Sequence, residues 1–248
     1  MREARVVLRM RYAFSARHPV TRITIVGFLD DLKRQAEAIK TQQTVDVAAL
    51  ARNTALADAA CKSVLQYWME LAPQLNVLQP RAPMRFSLDN RTALEGLVRC
   101  DFRVDSRRKQ LRGQEVFDHV VLHAFQKSGR AIKISKDFPP EIERLESRLR
   151  QAGITADVTI VRDPNNGRLE EVRYVFTADV VLMLRLLPDH DHGRLRFQIN
   201  NLDSLETVNV EFAAHAVTSA LLDELSRWLT GDTHEFLKQG ENLRRVEA

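Results

Sequence analysis

Glycine is scarce in this chain, with nine residues in 248. None belongs to GxGxxG, GxxxxGK[ST] or GxSxG. The glycine loops that cradle dinucleotides and nucleotides, and the nucleophile elbow of hydrolases, are therefore excluded in their recognisable forms. Cysteine is scarcer still. Cys61 and Cys100 cannot build a disulfide framework, and neither has the spacing of a metal ligand. Long apolar runs are missing too. The best candidate, residues 180–187, is interrupted by Arg185 and falls well short of the roughly 18 residues a membrane helix needs, so no membrane partner is expected. The apolar run near the N-terminus is too short for a secretory signal, which reads as a cytoplasmic location.

No catalytic constellation emerges. Glu170 and Glu171 lack the lysine two residues on that a nuclease pair would carry. His119 and His123 on a strand would stand about 13–14 Å apart, too far to share a metal. Asp189, His190, Asp191 and His192 lie between Pro188 and Gly193, where a polar hairpin turn is expected. The reading is a non-enzyme with no catalytic residues, no metal and no cofactor. At 44% hydrophobic and 28% charged residues, the chain has ordinary globular composition, enough for one large domain or two smaller ones.

The net charge of +4 conceals a segregation. Residues 1–21 hold five Arg against one acid, and residues 91–153 hold 14 basic against nine acidic side chains. Residues 154–248 reverse this, with 10 basic and 16 acidic. A basic front and an acidic back imply a surface for a polyanion, or two surfaces that attract each other between copies.

Periodicity predicts the elements. Residues 5–14 alternate as a strand. Ile25, Phe28, Leu29, Leu32, Ala36 and Ile39 recur at helical spacing over 23–40, and Thr41–Thr44 reads as a break. Asp46 caps a short helix over 47–53, Thr54-Ala55 is a turn, and a longer helix covers 57–71 until Pro73. Short strands at 75–78 and 84–88 follow. Further strands are predicted at 94–104, 117–126, 131–134, 157–162, 169–176, 180–187, 194–199 and 207–212. Helices are predicted over about 141–151 and 216–229, with a last short one opened by Asp232 and Glu235.

The run from Val47 to Gln66 resembles a helix-turn-helix. It has small Ala51 where two helices would cross, Ala55 at the turn, Leu56 after it, and Cys61 and Val64 to pin the second helix. With the preceding helix and following hairpin, residues 22–90 resemble a winged helix-turn-helix domain. That resemblance implies duplex DNA as partner, with Arg52, Lys62, Ser63, Gln66, Arg81 and Arg85 as the contacting residues. Arg107, Arg108, Lys109 and Arg112 form the densest basic stretch and read as an exposed loop able to grip phosphates or an acidic partner surface. The order strand, helices, sheet, helix also resembles helix-grip ligand binders, which implies an apolar cavity under the last long helix.

The fold class expected is α+β. Residues 1–21 form a strand joining the main sheet, 22–90 a winged-helix-like module, and 91–248 a mostly antiparallel sheet with helices. The function expected is a DNA-associated regulator or accessory factor whose second domain binds a partner or self-associates. The alternatives are a protein-interaction scaffold subunit without DNA contact, and a binder of a small apolar ligand.

Overall fold

The structure, a computed structural model, describes residues 28–247. The chain divides into two compact units, residues 1–45 and 46–248. The strand expected at 5–14 lies outside the described residues. In the first unit the described residues are the opening turns of helix α1 (Phe28–Leu78). Here the expected amphipathic stripe is present, with Phe28, Leu29, Leu32 and Ile39 all exposed.

The fold of the second unit is α+β, built on one antiparallel sheet. Its strands are β3 (Val98–Leu111), β4 (Gln114–Lys136), β5 (Asp157–Arg162), β6 (Leu169–Asp189), β7 (Arg194–Asn200), β8 (Glu206–Ala213) and β9 (Glu241–Glu247). They run in the order β3-β4-β6-β7-β8-β9, with β5 beside the first half of β6. A small hairpin, β1 (Phe86–Ser87) with β2 (Ala93–Leu94), precedes the sheet. Helices α2 (Pro139–Ala152) and α3 (Ser219–Thr230) complete it.

Alternation in β6 decides the architecture. Its even-numbered residues from Val172 to Leu186 are all buried. Val172, Tyr174, Phe176, Ala178 and Val180 pack with Leu145 and Leu149 of α2 and with Phe86 and Leu88 of the hairpin. Leu182, Leu184 and Leu186 pack with Ala57, Val64, Trp68 and Leu75 of α1 and with Leu221, Leu225 and Trp228 of α3. Successive strand side chains point to opposite faces, so all three helices cover one face of the sheet. One strand thereby floors two hydrophobic clusters.

Several expected boundaries are corrected. The breaks expected at Thr41–Thr44 and Thr54-Ala55 are absent, and one helix runs from Phe28 to Leu78. The threonines bond back along the helix instead of ending it: Thr41 to the Glu37 carbonyl at 2.8 Å, Thr44 to that of Lys40 at 2.5 Å, and Thr54 to that of Leu50 at 2.8 Å. Ala55, where such a turn usually has glycine, is the best of helix formers. The helix also passes through Pro73, expected to stop it. The last turn is clamped to β3, where Asn76 Nδ2 donates to the Phe102 carbonyl at 2.9 Å and Phe102 N donates to Asn76 Oδ1 at 2.7 Å. Residues 75–78, expected as a strand, are therefore helical. The helix-turn-helix geometry expected over 47–66 does not occur, and residues 54–75 of α1 share their core with the sheet expected to be a separate domain.

The strands expected at 117–126 and 131–134 are one strand, β4, interrupted only by a bulge between Lys127 and Ala131. Those at 169–176 and 180–187 are likewise the single β6, because Ala178, read as part of a break, is buried in the sheet. The helix expected from Asp232 is a 3-10 turn, Phe236–Gln239, followed by the unanticipated edge strand β9. At the end of α2, Gly153 has φ +71°, and a Cβ there would come within 2.5 Å of Val181 Cγ2, so only glycine lets the helix end this close to β6.

A buried polar knot joins these elements. Arg99 is fully buried. Its Nε donates to Gln126 Oε1 at 3.0 Å, Nη1 to the Leu229 carbonyl at 2.7 Å and Nη2 to the Leu202 carbonyl at 2.8 Å. Gln126 Nε2 in turn donates to the Asn201 carbonyl, and Asn201 Nδ2 to the carbonyls of Gln151 and Val181 at 2.8 Å. Burial pulls the Arg99 guanidinium down to about 10, with Asp203 opposing, so it stays charged at neutral pH. Replacing it strands several buried acceptors at about 1–3 kcal/mol each. Arg99→Leu is expected to lose on the order of 4 kcal/mol of stability, read as a lower urea midpoint with unchanged slope. A wild-type midpoint would show the knot to be dispensable.

Candidate functional site

The residues expected to meet DNA do not converge. Arg52, Lys62, Ser63 and Gln66 are exposed along the solvent side of α1. Arg81 forms a bridge to Val98 at the start of β3, and Arg85 pairs with Glu95 at 3.1 Å. The basic stretch is not a loop. Arg107, Arg108 and Lys109 lie in β3, and Arg112 with Gly113 makes the two-residue turn to β4, both at positive φ. Most of its charge is already engaged. Arg108 is 3.7 Å from Glu115 and stacks 4.3 Å from the Phe117 ring centroid. Lys109 pairs with Asp118 at 3.3 Å, and Arg112 with Asp191. Arg107 has no ion pair among the described residues.

The sheet face turned away from the helices gathers cations that the sequence scatters. Register across β3, β4, β6 and β7 sets the side chains in rows. Arg107 is paired with His119, and beyond them Leu187 pairs with Arg196. The next row is Asp105, Val121, Arg185 and Gln198, and the next Arg103, His123, Met183 and Asn200. Cys100 and Phe125 begin a fourth, which ends at Val181, where the end of α2 meets the sheet. Four strands at about 4.8 Å spacing give a platform roughly 14 Å across. On β4 and β6 these side chains are half-buried, while Arg103, Arg107 and Arg196 are exposed.

Arg103, Arg107, Arg185 and Arg196 have no carboxylate within 4 Å among the described residues. Asp105 lies within these rows, and Glu211 of β8 stands across from Arg196. Arg185 sits near the centre. Its Nη2 lies 3.4 Å from His119 Nδ1, and its Nε is buried without a partner. His119 is 3.0 Å from Asp118, and this hydrogen bond, with help from Lys109, holds the Asp118 carboxyl below its usual range. His123 meets Phe125 edge-on with centroids 5.1 Å apart, and Lys127 lies 4.9 Å over the same ring. Such a surface offers guanidinium forks without carboxylate partners among the described residues, beside aromatic rings. Forks of this kind suit phosphate or carboxylate oxygens. No group of three or more His, Cys, Asp or Glu among the described residues is placed to hold a metal ion, and no helix there is long and apolar enough to cross a membrane.

Arg103, Arg185 and Arg196 were missed from sequence. Arg185 was visible as the charge interrupting an apolar run, but its neighbours come from strands far away in the chain. No family model matches this chain, and no curated protein or solved structure does either.

The two thiols report on the two sides of the sheet. Cys61 is buried on the sheet-facing side of α1, and burial pushes its pKa up to about 12. Cys100 is half-exposed on the open side, its pKa raised more modestly by partial burial and Asp101. Native protein at pH 8 is expected to yield one thiol slowly to Ellman's reagent, Cys100, with Cys61 reacting only after unfolding. Equal reaction of both would show that the faces are not covered as described.

Proposed function

We propose that this chain is a non-enzymatic, nucleic-acid-associated regulator or accessory factor that holds its ligand on the open sheet face. The supporting observation is the set of four arginines without ion pairs among the described residues on one helix-free surface, with Asp105 between them, Asp118 beside His119 and Glu211 across from Arg196 as the acids of that face. A polyanion gains affinity where cations replace its counterions. Arg107 and Arg196 at the margins, with Arg185 between them, set such cations at intervals along the platform. The DNA reading thus moves from α1, where Lys62 and Arg52 are isolated cations, to the opposite side of the sheet.

A second reading, a protein-interaction subunit, draws on α1. Phe28, Leu29, Leu32 and Ile39 form an uncovered apolar stripe, and Phe28 is 80% exposed. Spacings of three, four and seven suit pairing with the same helix of a second copy.

Fluorescence anisotropy with labelled duplex and single-stranded oligonucleotides, titrated across salt, tests the first reading. Arg107→Glu and Arg196→Glu are each expected to weaken binding and to reduce the salt slope by about 1, whereas Lys62→Glu and Arg81→Glu leave both unchanged. Absent binding at low salt, or a slope indifferent to Arg107 and Arg196, would overturn it. Concentration-dependent dimerisation that is abolished by Leu32→Glu would then support the second.

A further inference from the structure

A second polar site lies on the helix side of the molecule, where α2, the β1–β2 turn and the end of β4 enclose a cleft of about 440 Å³. We infer that this cleft binds a small phosphate monoester with a polar, hydroxyl-bearing body, such as a sugar phosphate.

The cleft is built rather than incidental. Asp89 Oδ1 accepts from the backbone N–H of Arg91 at 2.7 Å and of Thr92 at 2.5 Å, which fixes the turn. Lys136, with its side chain 13% exposed, reaches Asp89 at 3.0 Å and Glu141 at 2.9 Å, tying turn, strand and helix together. Arg148 Nη1 donates to the Ser87 carbonyl at 2.9 Å and ties α2 to β1. Lys136 offsets one of the two negative charges of Asp89 and Glu141 and is itself occupied by them. With Asp137 and the three arginines counted, the lining keeps a net charge of +1.

Arginines remain to meet an anion. Arg144 and Arg148 stand four residues apart on α2, hence on one face of the helix, and Arg91 lines the cleft from the turn. Arg91 and Arg144 make no ion pair among the described residues, and Arg148 has donors left beyond its bond to Ser87. Three arginines lining one cavity are suited to the oxygens of a phosphate dianion. The volume exceeds what a bare phosphate fills and falls within the range of small-molecule sites. Apart from Leu88 and Leu145 the lining is polar, and Asp137, without an ion pair among the described residues, is an acceptor for hydroxyl groups. Lys136 and Arg148 are already held, so the ordering that binding requires falls on Arg91 and Arg144.

Isothermal titration with ribose 5-phosphate, inorganic phosphate and ribose tests the inference on the full chain. Ribose 5-phosphate is expected to bind with a sub-millimolar Kd and to raise Tm by about 2–4 °C near saturation. Arg91→Ala and Arg144→Ala are each expected to weaken it about tenfold or more, with an unchanged unliganded Tm confirming that the variants fold. Arg107→Glu, on the opposite side of the sheet, is expected to leave this binding intact, so the result is independent of the nucleic-acid reading. Binding undetectable at about 10 mM, or unaffected by Arg91 and Arg144, would overturn the site. Ribose binding as well as its phosphate would overturn the anion assignment, and inorganic phosphate binding as tightly as the ester would overturn the sugar-bearing body.

Discussion

A single fully buried guanidinium, that of Arg99, organises the second unit. Helix α3 ends there, with the carbonyls of Trp228 and Leu229 accepting from Nη1. The turn after β7 ends there as well, through Leu202. Gln126 extends the knot to Asn201, which fastens the end of α2 to β6. Helix ends leave carbonyls unpaired, and a buried end must find donors. Arginine supplies five in a rigid plane, so one residue of β3 meets acceptors from three directions. Lysine, a point donor on a flexible stem, would not reach them together.

The distribution of helices follows from the same economy of burial. Every helix of the second unit lies on one side, so the opposite side must live with solvent. It does so with a mixed surface of arginine, histidine, glutamine and scattered apolar residues, as antiparallel sheets with one wet face do. What distinguishes this face is the imbalance of its charges. On the neighbouring strands cations are matched, as with Arg194 near Glu211 and Glu241, or Arg245 with Glu206. In the rows from β3 to β7 they are not.

Sequence periodicity reveals local structure well and long-range arrangement poorly. The strands at 194–199 and 207–212, and the stripes of α2 and α3, are readable because each buries one face over a short distance. The helical stripes of α1 are readable too, but not its continuity. Thr41, Thr44 and Thr54 have side chains that either cap or back-bond, and only the fold decides which. Pro73 is similar. Its missing N–H concerns Met69, which is exposed and can give its carbonyl to water. The basic stretch at 107–112 was visible as charge density, but Glu115, Asp118 and Asp191, which quench most of it, come from another strand and another turn. Conversely, Arg103, Arg185 and Arg196 become one surface only through strand register, which no local pattern encodes.

The length of β6 has a consequence for how the protein opens. The strand pairs with β4 along nearly its whole course, while β5 and β7 share its other side. Its even side chains are embedded first in the cluster under α2 and then in the cluster under α1 and α3. Neither cluster can loosen without shearing the strand that floors the other. The two clusters therefore form one cooperative folding unit. The slowest amide exchange should run the length of β6, with β9 and the outer edge of β5 fraying long before it.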